Sequence, residues 1–240
     1  LNSVGEKPFL AVLHVMNVHD PYFSPMGTEG TWIDPAEVPF PETVFPDEQM
    51  AAIQAAYTAD PEGTRQAVVD VYDEEVLGLD QGMEQLEEML EQQGWSEQTL
   101  IVLTADHGET LGDRGEPYFG HGASLQPEQL QIPLLLRNPH LKTETLHCLS
   151  SNMDTFPTLV RMMGWEASLE ADGMALQEGC RSTVGSSVYN VDGSLYQVSV
   201  FDGSYRLTRT CHLSDQLADL ASDPSGATFL PADSLPALDG

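Results

Sequence analysis

Positive charge is scarce in this 240-residue chain: two lysines and seven arginines stand against 38 aspartates and glutamates, for a formal net charge of −29. A surface this anionic repels a phosphate backbone, which argues against nucleic-acid binding and against docking on anionic membranes. It favours a requirement for cations or tolerance of high salt. Long apolar runs are also missing. The longest candidates, around Phe9–Val18 and Ile132–Leu136, fall well short of the ~18–20 residues of a membrane span. Cysteine is sparse, and Cys148, Cys180 and Cys211 show no CxxC spacing. That excludes a zinc ribbon and a disulfide-dense scaffold but leaves room for one disulfide. GxSxG, Walker A, GxGxxG and HExxH motifs are absent, as are an internal repeat and an Asn-x-Ser/Thr acceptor. The chain opens on Leu1 with no basic, apolar leader after it, as expected of a mature product or a piece of a longer protein.

What is present is globular: 41% of residues are hydrophobic, enough for a sizeable core. The near-continuous apolar run Phe9–Met16 reads as a strand buried on both faces, with His14 a hydrogen-bonded core histidine. From Phe23 to Pro61 the chain is rich in Pro, Gly and acidic residues. It reads as an irregular excursion with one short helix near Asp47–Tyr57, and Trp32, Phe40 and Phe45 are available to line a wall or a lid. A long helix follows over Arg65–Gln93. Its apolar face is Val68, Tyr72, Val76, Leu79, Met83, Leu86 and Leu90, Gly78 and Gly82 mark close packing, and Gly94 terminates it. Thr99–Thr104 and Ile132–Leu136 read as buried strands, and strand–helix–strand order implies an α/β fold. A helix over Asp154–Gly164 takes Asp154 as its N-cap, Pro157 in its first turn and Gly164 as its stop. Beyond Trp165 the pattern alternates, and Asp202-Gly203 signals a type I′ hairpin between Leu195–Phe201 and Ser204–Arg209. The tail from Ser222 is expected to pack loosely.

Candidate chemistry gathers just after the strands. His19 follows the first, Asp106 and His107 end the second with Gly108 permitting the turn, and His121 lies between two glycines on the next loop. In open α/β sheets the ligand crevice lies beyond the carboxyl ends of the strands, so these groups share one rim. A carboxylate beside an imidazole is half a site for a divalent cation, and two further imidazoles can hold an anion or protonate a leaving oxygen. His140, His147 and His212 have no such context and read as solvated.

Taken in order, HDPYFSP, YDEEVLGLDQGMEQLEEMLEQQGW carrying Asp80, TLIVLTADHGETLGDRGEPYFGHG and IPLLLRNP resemble the sulfatase family of the alkaline-phosphatase superfamily. MDTFPTLVRMMG, DGSYRLTR and LADLASDP extend the resemblance to about residues 6–226. It implies an alkaline-phosphatase-like α/β fold, a mostly parallel sheet flanked by helices. Residues 1–165 would form the C-terminal portion of the catalytic domain, and 166–240 a small subdomain with an antiparallel hairpin. By the same resemblance Asp106 and His107 are ligands of one divalent cation, commonly calcium, while His19 and His121 contact sulfate oxygens, one of them acting as general acid. The implied substrate is a small-molecule or glycan sulfate ester, and the family makes a periplasmic or extracellular setting plausible. The chain departs from the family in one respect: none of its 16 prolines is followed two positions later by arginine. The Cys/Ser-x-Pro-x-Arg nucleophile, matured to formylglycine, is therefore not encoded here. The resemblance is to a C-terminal half whose partner is the N-terminal half of the same domain, and the isolated piece is expected to be inactive. Two alternatives remain. One is a phosphotransferase or phosphonate/phosphodiester hydrolase of the superfamily using Zn2+ or Mn2+. The other is a non-catalytic relative serving as a binding domain.

Overall fold

The computed structural model describes residues 8–25, 27–43, 45–122, 124–165, 171–190 and 192–231. It divides into two compact units, Leu1–Leu90 and Glu91–Gly240.

The first unit is built on helices α1 (Pro46–Ala59) and α2 (Pro61–Gln92), each opened by a proline whose missing N–H costs nothing in the first turn. The helix expected near Asp47–Tyr57 within the Phe23–Pro61 excursion is α1, extending one residue before and two beyond those bounds. Between its ends Phe40 is buried while Trp32 and Phe45 are exposed. On α2 the buried face over the first turns is Thr64, Ala67, Val68, Val71, Glu74 and Glu75, a helical spacing in which two carboxylates replace the expected Val76, which is exposed. Gly78 meets close packing, because a Cβ there would lie 2.9 Å from the Pro25 ring, whereas Gly82 faces open space. Residues 8–16 depart furthest from expectation. They form no helix or strand, and Val12 is 81% exposed. His14 is exposed with them rather than held in a core. A strand apolar on both faces is buried only within a sheet covered on each face, and residues 8–16 join no sheet among the described residues.

In the second unit strand β1 (Ile101–Thr104) ends at the Asp106 turn, after Gly94 closes α2 at φ +69°. β1 pairs antiparallel with β4 (Leu134–Arg137), with Ile101 opposite Arg137. Between them lie the short ribbon β2 (Thr110–Leu111) with β3 (Phe119–Gly120), and the single-turn helix α3 (Pro127–Leu130). All pairs among the described strands are antiparallel, so the parallel pairing expected from strand–helix–strand order is not seen among them. The C-terminal sheet is a four-stranded meander: β5 (Val184–Tyr189), β6 (Leu195–Phe201), β7 (Tyr205–Thr210) and β8 (Gln216–Asp219). The β6–β7 hairpin forms where expected, but with positive φ at Gly203 and not at Asp202, so the turn is not type I′. The Asp202 carboxylate instead accepts the backbone N–H groups of Ser204 and Tyr205. Of the tail, Leu230 bridges to Leu217, and residues 232–240 lie outside the described residues. Cys148 and Cys180 form a disulfide, and Cys211 is a free, exposed thiol. No helix among the described residues is long and apolar enough to cross a membrane.

Helix α4 (Thr155–Met162) ends at Gly164 as expected, but Asp154 does not cap it by side chain. A 3-10 turn over Asn152–Asp154 precedes the helix, with Ser151 as the capping residue. The buried Asp154 carboxylate accepts N–H groups from Ser151 and Met174 and a two-pronged pairing from Arg181 at 2.5 and 2.7 Å. Those donors hold its carboxyl at about 2, against 3.8 ordinarily, the Arg181 hydrogen bonds being the largest cause. A depressed carboxylate stabilises the fold above the unfolded value and ceases to do so as pH falls towards the folded one. Asp154→Asn is expected to lower unfolding free energy by about 2–3 kcal/mol at neutral pH. The gap to the parent chain should close between pH 4 and pH 2 in urea titrations; a gap independent of pH contradicts the assignment.

Candidate active site

The site in the second unit is assembled by two turns and a two-residue ribbon. In the β2–β3 register Thr110 faces Gly120, so the next pair along the ladder is Glu109 and His121. The Glu109 side chain is only 4% exposed, and its Oε1 lies 2.7 Å from His121 Nδ1. With Nδ1–H donating to that carboxylate, the other ring nitrogen is Nε2. The two glycines around His121 adopt φ values of +105° and +84°, which a Cβ-bearing residue rarely tolerates, and this left-handed path turns the chain around the ring. Tyr118 Oη donates to the carbonyl oxygen of His121 at 2.7 Å, fixing the same loop from below.

His107 lies against His121, the rings stacked at 3.9 Å between centroids and 26° between planes. Its Nδ1 is 3.0 Å from the carbonyl oxygen of Gly108, and its Nε2 is 3.8 Å from Asp106 Oδ1. The Asp106 side chain is 86% exposed, and its Oδ1 accepts the His107 N–H. Asn152 Nδ2 donates to the carbonyl oxygens of Ala105 and Asp106, tying this turn to the segment before α4.

Gln129, buried on α3, joins the two turns. Its backbone carbonyl accepts the Gly108 N–H at 2.8 Å, its Oε1 accepts the Gly122 N–H at 3.1 Å, and its Nε2 donates to Thr110 and Ser124. Gly108 is needed here for space rather than for a left-handed turn, since a Cβ would overlap the Glu128 carbonyl oxygen. A cavity of about 570 Å³ opens beside these groups, lined by Asp106, His107, His121, Ser151, Asn152 and residues of the C-terminal sheet.

Asp106, His107 and His121 are thus brought together as the strand ends implied. His19 belongs to the first unit. Its Nδ1 lies 2.6 Å from the Asp20 carbonyl oxygen and 2.8 Å from the Asp20 carboxylate, in a turn containing a cis Asp20–Pro21 bond. His147 and His212 are exposed as expected, and His140 is an exposed side chain 3.6 Å from Glu97. Glu109, Gln129 and Asn152 were missed by sequence reasoning. Only Glu109 carried a signal, as the fourth residue of Asp-His-Gly-Glu.

A family model, Sulfatase, matches residues 1–165. The chain belongs to the sulfatase family. This sulfatase-family chain is 30% identical over 174 residues to low-salt glycan biosynthesis sulfotransferase Agl7 of Haloferax volcanii, covering 71% of itself and 37% of that protein. It is 32% identical over 126 residues to steryl-sulfatase of Rattus norvegicus, covering 48% of itself and 22% of the relative. It therefore spans well under half the length of these relatives. Its fold is that of the alkaline-phosphatase-like enzymes. A phosphonate monoester hydrolase of Agrobacterium radiobacter aligns with a TM-score of 0.62 at 22% identity, covering 72% of this chain and 38% of that one. A structure in complex with its substrate D-glucosamine-2-N,6-O-disulfate aligns with a TM-score of 0.57 at 22% identity, covering 77% and 42%.

Gly108→Ala should force apart the two turns that Gln129 joins and cost about 1–3 kcal/mol of stability. Urea denaturation reads this directly; a variant within a few tenths of a kcal/mol of the parent contradicts the packing described.

Proposed function

We propose that this chain supplies the cation-ligand and proton-transfer side of a sulfuric ester hydrolase, acting on the sulfate ester of a sugar or aryl alcohol. The observation that carries the reading is the stacked pair His107–His121, with Asp106 Oδ1 3.8 Å from His107 Nε2 and the buried Glu109 on His121 Nδ1. A carboxylate oxygen and an imidazole nitrogen 3.8 Å apart fit two neighbouring positions around one divalent cation. Asp106 and His107 would hold it, and when bound it would neutralise charge on the sulfate and the nucleophile. Calcium takes about six to eight oxygen ligands, so further ligands come from outside this pair.

His121 addresses the ester through Nε2 while Glu109 accepts at Nδ1. An imidazolium so held can give its Nε2 proton to the departing alkoxide, and the buried carboxylate balances its charge. His19 is the second imidazole of the reading and contacts sulfate oxygens. The nucleophile is contributed by a further part of the domain. Two features support such a part: the chain spans 37% of its sulfotransferase relative, and Leu10, Val12, Leu13 and Leu135 expose large apolar side chains. The same donor set would serve a phosphonate hydrolase, the activity named for one structural neighbour, with zinc or manganese in place of calcium.

The test is turnover of an aryl sulfate by the complete enzyme, this chain together with a nucleophile-bearing half of the domain. Activity should depend on calcium, and Asp106→Ala and His121→Ala should each lower kcat/KM by about 100-fold or more. Turnover by the chain alone, or full activity in Asp106→Ala, contradicts the reading. Preference for a phosphonate ester with zinc or manganese would replace it by the second.

A further inference from the structure

We infer that Glu75, in the middle of α2, is a positioning residue for His19. The side chain is fully buried, and its two oxygens accept from two points on the preceding loop: Oε2 from the Val18 N–H at 2.8 Å and Oε1 from the Phe23 N–H at 2.9 Å. These residues bracket the four-residue segment, 19–22, on which His19 sits. One carboxylate therefore fixes both ends of the turn. Val18 itself adopts φ +70°, a left-handed conformation that is costly for a β-branched residue and persists only where its surroundings over-determine it. Glu75 holds the N–H of this strained residue.

The rest of the turn is tied in the same manner. Gln49 on α1 accepts the Tyr22 N–H at 2.6 Å and donates to the Tyr22 carbonyl oxygen at 2.5 Å, while the fully buried Tyr22 ring meets Tyr72 edge-on at 6.3 Å. Trp32 N–H reaches Glu74, the neighbour of Glu75. A carboxylate is costly to bury, and a leucine at position 75 would extend an apolar helix face at no such cost. What the carboxylate supplies that leucine cannot is a pair of acceptors for backbone donors 52 and 57 residues away in sequence. They hold the one segment of this unit that bears a candidate ligand-contacting imidazole.

The inference rests on the proposed role of His19. In the complete enzyme, Glu75→Gln keeps the shape but presents an amide donor to one of two backbone donors. It is expected to lower kcat/KM by about 10- to 100-fold, as displacing a contacting group does. Amide exchange at Val18 and Phe23 should quicken by about 10-fold, while α2 amides at Ala67 and Val71 keep their protection. The double variant Glu75→Gln/His19→Ala should be no slower than His19→Ala alone, because a positioning residue has nothing left to position. Multiplying effects, or full activity in Glu75→Gln beside an impaired His19→Ala, overturn the inference alone. Full activity in His19→Ala overturns the proposed role of His19 and this inference with it.

Discussion

The hydrogen bond between Glu109 and His121 is the contact on which the site depends. It exists because two two-residue strands pair in one register, so that the residues flanking them meet across the ladder. A slip by one residue would reverse the side of the ribbon on which each side chain lies and separate carboxylate from ring. Gln129 guards against that slip by binding the backbone of both turns at once. The stack of His107 on His121 follows from these constraints.

The chain uses its acidic residues in two ways. Most of those among the described residues are exposed, and the 38 together dominate the −29 charge. A few are buried, and these organise loops: Glu75 holds the turn bearing His19, Glu109 holds His121, and Asp154 gathers Ser151, Met174 and Arg181. A buried carboxylate must be compensated by donors, and backbone N–H groups of irregular segments need acceptors. Pairing the two needs lets long loops keep one conformation. Asn152 extends the scheme, since the segment anchored through Asp154 also reaches the carbonyl oxygens of Ala105 and Asp106.

Much of this organisation is legible in the sequence. The α2 periodicity, the positions of the strands around Leu103 and Leu135 (though not the burial expected of them, since Leu135 is exposed), the β6–β7 hairpin and the convergence of Asp106, His107 and His121 follow from apolar spacing, turn residues and placement at strand ends. The buried carboxylates were not legible, because hydrophobic patterning assigns acidic residues to the solvent and the helix face was drawn through Val76 instead. Local sequence makes Asp154 a simple cap, because its partner Arg181 lies 27 residues away. The run Phe9–Met16 carries the pattern of a strand buried on both faces, and that pattern specifies the neighbours a strand needs without supplying them.

The central claim is that Glu109 sets the protonation geometry of His121, and nitrogen NMR of the neutral ring measures it directly. With 15N-labelled histidine, His121 should show its proton on Nδ1 and its lone pair on Nε2, and Glu109→Ala should abolish that preference. A neutral ring protonated on Nε2 in the parent chain would contradict the account.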